Sequence, residues 1–214
     1  MRVRIWDWPT RLFHWLLVVL IAAAWWTAEE HLLTWHYRIG IATFCLLVFR
    51  IVWGFIGSST ARFASFVRGP RAIRGYLRDA GPAAIGHNPL GALSVLALLA
   101  LTTIVVTLGL FATDEDGLDP GPLSHWVSYD VAEQAQELHE TGFDLLLVMI
   151  GLHVAAILYY AVVRRHNLVG PMLTGRGAAP EGAEAMRAAA TWRLAVAVAA
   201  AILLGWWIWS GAPL

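Results

Sequence analysis

Five apolar runs, each close to the roughly 20 residues a bilayer-crossing helix requires, dominate the 214-residue chain. They cover about Leu12–Ala28, Thr34–Ile56, Leu90–Thr113, Leu138–Val163 and Trp192–Trp209. Pro9-Thr10 and Asn88-Pro89 read as helix starts, and Gly57-Ser58-Ser59 as a stop. With 58% hydrophobic and 14% charged residues, little chain is left for a soluble domain. The 12 tryptophans suit the membrane–water boundaries. The sequence therefore predicts an all-α transmembrane protein.

Charge sets the orientation. Every basic residue is arginine. Arg2, Arg4 and Arg11 precede the first span; Arg50, Arg62, Arg68, Arg71, Arg74 and Arg78 follow the second; Arg164, Arg165, Arg176, Arg187 and Arg193 separate the fourth from the fifth. The alternate loops carry Glu29 and Glu30, then Asp114, Glu115, Asp116, Asp119, Asp130, Glu133, Glu137 and Glu140, with Arg38 as the one exception. The positive-inside rule then predicts a cytoplasmic N-terminus and an external C-terminus. Arg2, Arg4, the apolar run and Ala22-Ala23-Ala24 imitate a cleavable secretory signal. Continuation of the run into Trp25-Trp26 argues for an uncleaved helix. No basic face exists outside the membrane-flanking loops, so nucleic acid is excluded as a partner. Cys45 lies in an apolar run and reads as a small buried hydrophobe.

Between the second and third spans, Phe63, Phe66, Val67, Ile73, Tyr76 and Leu77 recur at three- and four-residue steps among arginines. The pattern suits a helix in the headgroup layer, broken at Gly69-Pro70. A basic connector without regular structure fits it equally well. No internal repeat is evident.

Histidines carry the functional signal, because ionisable side chains at membrane depth are costly and are kept for function. His139 and His153 lie fourteen residues apart on the fourth span. On a helix that is about 21 Å of rise with a return to nearly the same face. His139 is expected to open that helix at its outer end. With the topology above, His36 and His139 share the outer half of the membrane, and His14 and His153 the inner half. The inner pair matches less well in depth: His14 is three residues past Arg11, whereas His153 is eleven before Arg164. The fourth helix must tilt or extend beyond the membrane to bring them level. His31 competes with His36, but Gly40 one turn after His36 leaves room for a flat cofactor, and Gly109, Gly142 and Gly151 similarly thin other helices. His31, His87, His125 and His166 fall in loops, where a hydrated surface role is the default.

Two imidazole pairs do not make closed zinc sites, which usually take four ligands. His139-Glu140 begins an H-E-x-x-H motif, but Phe143 stands at its fifth position. Two imidazoles on opposite faces of a porphyrin need no further ligand, and such an iron suits electron transfer. Without a C-x-x-C-H motif the haem is non-covalent, of b type. A colourless histidine-relay metal or proton transporter is the alternative.

Leu12-Phe13-His14-Trp15, Trp35-His36 through Gly40, Leu138-His139-Glu140-Thr141 and Ile150-Gly151-Leu152-His153-Val154-Ala155-Ala156 together resemble the bacterial di-haem cytochrome b561 family, which includes the cytochrome b subunits of nickel hydrogenases. Phe66-Val67-Arg68-Gly69-Pro70-Arg71 and Gly86-His87-Asn88-Pro89-Leu90-Gly91 add to the likeness. The resemblance implies a four-helix haem-binding bundle over residues 1–175, with two b haems held by His14 with His153 and by His36 with His139. It also implies electron exchange between membrane quinone and a c-type cytochrome or hydrogenase, while some relatives oxidise superoxide. Residues 176–214 are then a linker and a fifth C-terminal transmembrane helix beyond the bundle, suited to a partner or an oligomer. The linker Gly175–Pro180 is expected to be flexible and weakly structured. Arg38, two residues from His36, is a candidate partner for a haem propionate or, equally, an interfacial anchor.

Overall fold

The computed structural model describes residues 2–67, 69–79, 86–113, 120–179 and 184–211. It contains five helices long and apolar enough to cross a membrane: α1 (Trp8–Glu29) and α2 (Leu33–Ile56), then α5 (Pro89–Phe111), α6 (Tyr129–Val162) and α8 (Thr191–Trp209). Asp7 caps α1 by accepting the Thr10 N–H at 2.8 Å, and Asn88 caps α5 through the Gly91 N–H at 2.7 Å. Each cap is followed by a proline early in the first turn, where its missing N–H costs no helical bond.

The fourth span differs most from its expected bounds. It starts at Tyr129, so His139 lies ten residues inside a 34-residue helix and does not open it. The added turns hold Asp130, Glu133 and Glu137 beside the buried Ala132 and Ala135. Their polarity hid the continuation from a hydropathy reading. At 1.5 Å per residue α6 is about 51 Å long and exceeds any hydrocarbon layer. The neighbouring acidic loop, residues 114–119, lies outside the described residues.

At the arginine-rich end, α3 (Phe63–Phe66) and α4 (Pro70–Asp79) fill the connector and break where Gly69-Pro70 stands. The segment is thus helical, and α4 is strongly amphipathic. The Tyr76 hydroxyl bonds that of Tyr160 at 3.0 Å, and Asn88 Nδ2 donates to the same Tyr160 oxygen at 3.0 Å. Burial and these neighbours push Tyr76 up to about 12, so its hydroxyl keeps its proton.

The expected flexible linker is instead pinned. Arg176–Ala178 (β2) pairs antiparallel with Arg2–Arg4 (β1), in the register Val3 with Gly177. Val3, Ile5 and Trp6 bury themselves against Met172 and Ala179, which supplies the apolar contact a free linker lacks. The short helix α7 (Val169–Thr174) ends on Gly175 at φ +76°, and the Gly175 carbonyl accepts the Ile5 and Trp6 N–H groups. A side chain at 175 meets the Trp6 carbonyl at 2.9 Å, so glycine is required twice over. Further along, Met186 N donates to the Arg4 carbonyl at 2.9 Å, and Ser59 and Arg187 exchange two bonds. Pro180 itself falls outside the described residues.

Among the spans α2 is central: it packs on α1, α5 and α8, while α6 packs mainly on α5. Helix α8 packs on α2 and buries Ala197, Ala201 and Gly205, small residues that let two backbones approach closely in a membrane. A side chain at 205 would collide with Cys45 Sγ. Cys45 is nine residues from His36, half a turn out of phase, so α8 covers the back of α2 and leaves its histidine face free. Replacement Gly205→Leu should therefore lower the thermal midpoint in detergent by the overpacking cost, about 1–3 kcal/mol, without changing bound haem. Absorbance and unfolding measured on one sample check both halves.

Candidate functional site

At the acidic end of the bundle, α2 presents His36 and α6 presents His139 with ring centroids 6.0 Å apart and planes at 90°. His36 Nδ1 lies 2.9 Å from the Ala24 carbonyl on α1, and His139 Nδ1 lies 2.7 Å from the Val105 carbonyl on α5. A carbonyl only accepts, so each Nδ1 carries the proton and each Nε2 keeps its lone pair. This is the tautomer of a metal-ligating histidine held by a backbone acceptor. Gly109 makes room for one ring: a Cβ there would meet His139 Cε1 at 2.8 Å. Gly40 faces open space, as expected for a position beside a flat cofactor. Gly151 is likewise open, but Gly142 packs tightly on Val105 and serves helix contact instead.

At the basic end, His14 on α1 and His153 on α6 lie near enough for their charges to interact. Helix α1 begins at Trp8, six residues before His14, and α6 ends at Val162, nine after His153. Measured from these ends the two differ by about 4.5 Å, less than one turn. His14 packs edge-on against Trp15 at 5.0 Å, and its buried Nδ1 has no hydrogen-bond partner among the described residues. His153 Nδ1 sits 3.4 Å from Ser94 Oγ.

Both pairs straddle the same seam, because α6 has its main packing on α5 while His14 and His36 come from α1 and α2. The residues fit a porphyrin in that seam. A metal held between the nitrogens of two imidazoles, with bonds of about 2 Å, would leave the ring centroids on the order of 6 Å apart. The acidic-end pair stands at that separation. No group of three or more His, Cys, Asp or Glu side chains gathers among the described residues, so the imidazole pairs are not parts of larger clusters.

The remaining sequence candidates separate clearly. Arg38 is exposed and stacks over Trp35 at 5.1 Å, as an interfacial anchor does. His31 occupies the turn between α1 and α2 at φ +53°, five residues before the ring that meets His139. His125 and His166 are exposed. His87 departs from its expected surface role: it is wedged between Trp6 and Phe66, at 4.6 and 4.7 Å. Burial first, then the charges of Arg50 and His153, hold it down at about 4, so it is neutral at physiological pH. Arg50 was read only as a topological marker, yet it is 3% exposed. Its signal was available in the spacing, since it follows His36 by fourteen residues as His153 follows His139.

Similarity to known proteins agrees with this geometry. Two probable Ni/Fe-hydrogenase B-type cytochrome subunits align over 209 residues, spanning 81% of this chain and 87% of each relative. The protein of Azotobacter chroococcum mcd 1 is 24% identical and that of Azotobacter vinelandii 23%. No solved structure gives a significant match. The family profile for prokaryotic cytochrome b561 matches residues 5–175, the stretch that carries α1 to α7 and all four paired histidines. The chain belongs to the prokaryotic cytochrome b561 family, whose members are membrane-embedded b-type cytochromes that carry electrons.

Proposed function

We propose that this protein holds two b haems, one between His36 and His139 and one between His14 and His153, and relays electrons between membrane quinone and a redox partner. The observation that carries the reading is the 6.0 Å His36–His139 pair with both Nδ1 protons given to carbonyls. The fourteen-residue spacing on α6 then puts the second site about 21 Å further along one rigid helix. A haem held by two of these histidines would supply reversible one-electron transfer and leave no open position for substrate. The chain's own part is to fix ring orientation through Ala24 and Val105, to exclude water from the seam, and to hold two sites at different depths.

The arginine distribution supports a cytoplasmic basic end and a periplasmic acidic end in the inner membrane. Acidic loops at the latter suit a partner with a basic docking face. The names of the relatives favour a hydrogenase there, with a c-type cytochrome as the other candidate. Helix α8 lies beyond the family match and bears the exposed Trp206 and Trp209, a surface suited to that partner or to a second copy.

Purified protein is expected to show two low-spin b haems per chain by pyridine haemochrome assay. His139→Ala should remove the acidic-end haem and His153→Ala the other, since each deletes one of two axial ligands. An unchanged haem count in either variant defeats the assignment.

Gly109→Leu fills the space of the His139 ring and should lose the same haem as His139→Ala, whereas Gly40→Ala, facing open space, should cost far less. Equal haem loss in the two glycine variants would contradict the packing described.

If Arg38 pairs with a propionate, Arg38→Gln should lower the midpoint potential of the acidic-end haem, because a nearby cation favours the reduced form. An unshifted redox titration leaves Arg38 as the anchor its stacking on Trp35 describes.

A further inference from the structure

Helix α2 repeats the spacing of α6. His36 is followed after fourteen residues by Arg50, so α2 turns a histidine toward the seam at one depth and an arginine toward nearly the same side at the other. Arg50 is 3% exposed, lies over the rings of Phe63 at 5.0 Å and Phe13 at 5.8 Å, and has no hydrogen-bond partner at Nη1 among the described residues. A buried guanidinium in membrane surroundings calls for an anion with acceptor oxygens.

Asp7 lies near enough to act on the Arg50 charge, but both its oxygens take other donors. Oδ1 accepts the Thr10 N–H at 2.8 Å, and Oδ2 accepts the Trp53 Nε1–H at 2.9 Å. The orphaned atoms also cluster: those of Thr10, His14, Arg50, Ser58 and His87 are the buried side-chain polar atoms lacking partners among the described residues, and all lie toward the basic end. At the acidic end both imidazole Nδ1 atoms are satisfied within the chain. Arg50 lies 5.8 Å from the ring of Phe13, the residue before His14, so the guanidinium stands at the depth of the basic-end histidine on α1.

We infer that Arg50 receives a propionate carboxylate of the basic-end haem, its planar fork donating to the two oxygens. The inference rests on the two-haem reading above. It explains why an arginine stands buried at the seam with its Nη1 unpartnered among the described residues.

The test uses the full-length holoprotein loaded with haem carrying carbon-13 at the propionate carboxyls. Redox-difference infrared spectra then report the carboxylate bands, and a potentiometric titration reports each haem. Arg50→Gln should shift the labelled bands and lower the midpoint of the basic-end haem alone. Arg50→Lys, which keeps the charge but not the fork, should shift the bands while largely restoring the midpoint; it also stands in should Arg50→Gln assemble poorly. Unmoved carboxylate bands in both variants overturn the inference, whatever the potential does, because a purely structural arginine leaves the propionate unchanged. If His153→Ala retains both haems, the two-haem reading fails and takes this one with it. Loss of one haem in His153→Ala with unmoved bands in the Arg50 variants removes the Arg50 role alone.

Discussion

A buried imidazole has two nitrogens to satisfy, and in a hydrocarbon layer no water is at hand to do it. At the acidic end the chain answers with carbonyls of neighbouring helices: Ala24 on α1 for His36 and Val105 on α5 for His139. Those bonds fix the tautomer, leave each Nε2 its lone pair and tie α2 to α1 and α6 to α5. They also set where the helices stand. Gly109 brings α5 close enough for its carbonyl to reach His139, and Gly142 allows the same approach from α6. The packing that follows joins α6 to α5 and gathers α1, α5 and α8 around α2, with the histidines facing across what is left between.

The two ends are built on different terms. The acidic-end imidazoles are prepared by the polypeptide alone. The basic end leaves His14 Nδ1 and the Arg50 guanidinium with unused hydrogen-bonding capacity, next to a neutral His87 held between aromatic rings. Unsatisfied buried donors are expensive unless something completes them. The acidic-end site is thus preorganised, while the basic end is shaped as half of an interaction. In electrostatic terms the basic end carries a fixed buried cation, and Arg38 at the opposite end is exposed and screened.

Much of this was legible in the residues. Apolar runs located four of the five spans to within a few positions, and the spacing of His139 and His153 put both residues on one helix. The polar first turns of α6 were missed because Asp130, Glu133 and Glu137 depress hydropathy while doing nothing against helix formation. The strand pairing of residues 2–4 with 176–178 was also hidden, since three-residue strands formed across the whole chain leave no local period. Arg50 was counted among flanking charges because sequence alone does not distinguish an arginine at a helix end from one buried near it. His87 sat in a loop by position and in a core by contact, a difference that only Trp6 and Phe66 reveal.

The small antiparallel clasp between Arg2–Arg4 and Arg176–Ala178 has a temporal meaning. Its two halves are separated by almost the whole bundle, so during synthesis the N-terminal strand emerges first and waits for four spans to be made. Until residues 176–178 arrive, the segment before α1 is held through Trp53, which donates to Asp7, and Thr60, which donates to the Ile5 carbonyl, and lacks its strand partner. The segment before α1 therefore gains its strand partner only after four spans have been made, and the two ends of the family-matched stretch are joined late in translation.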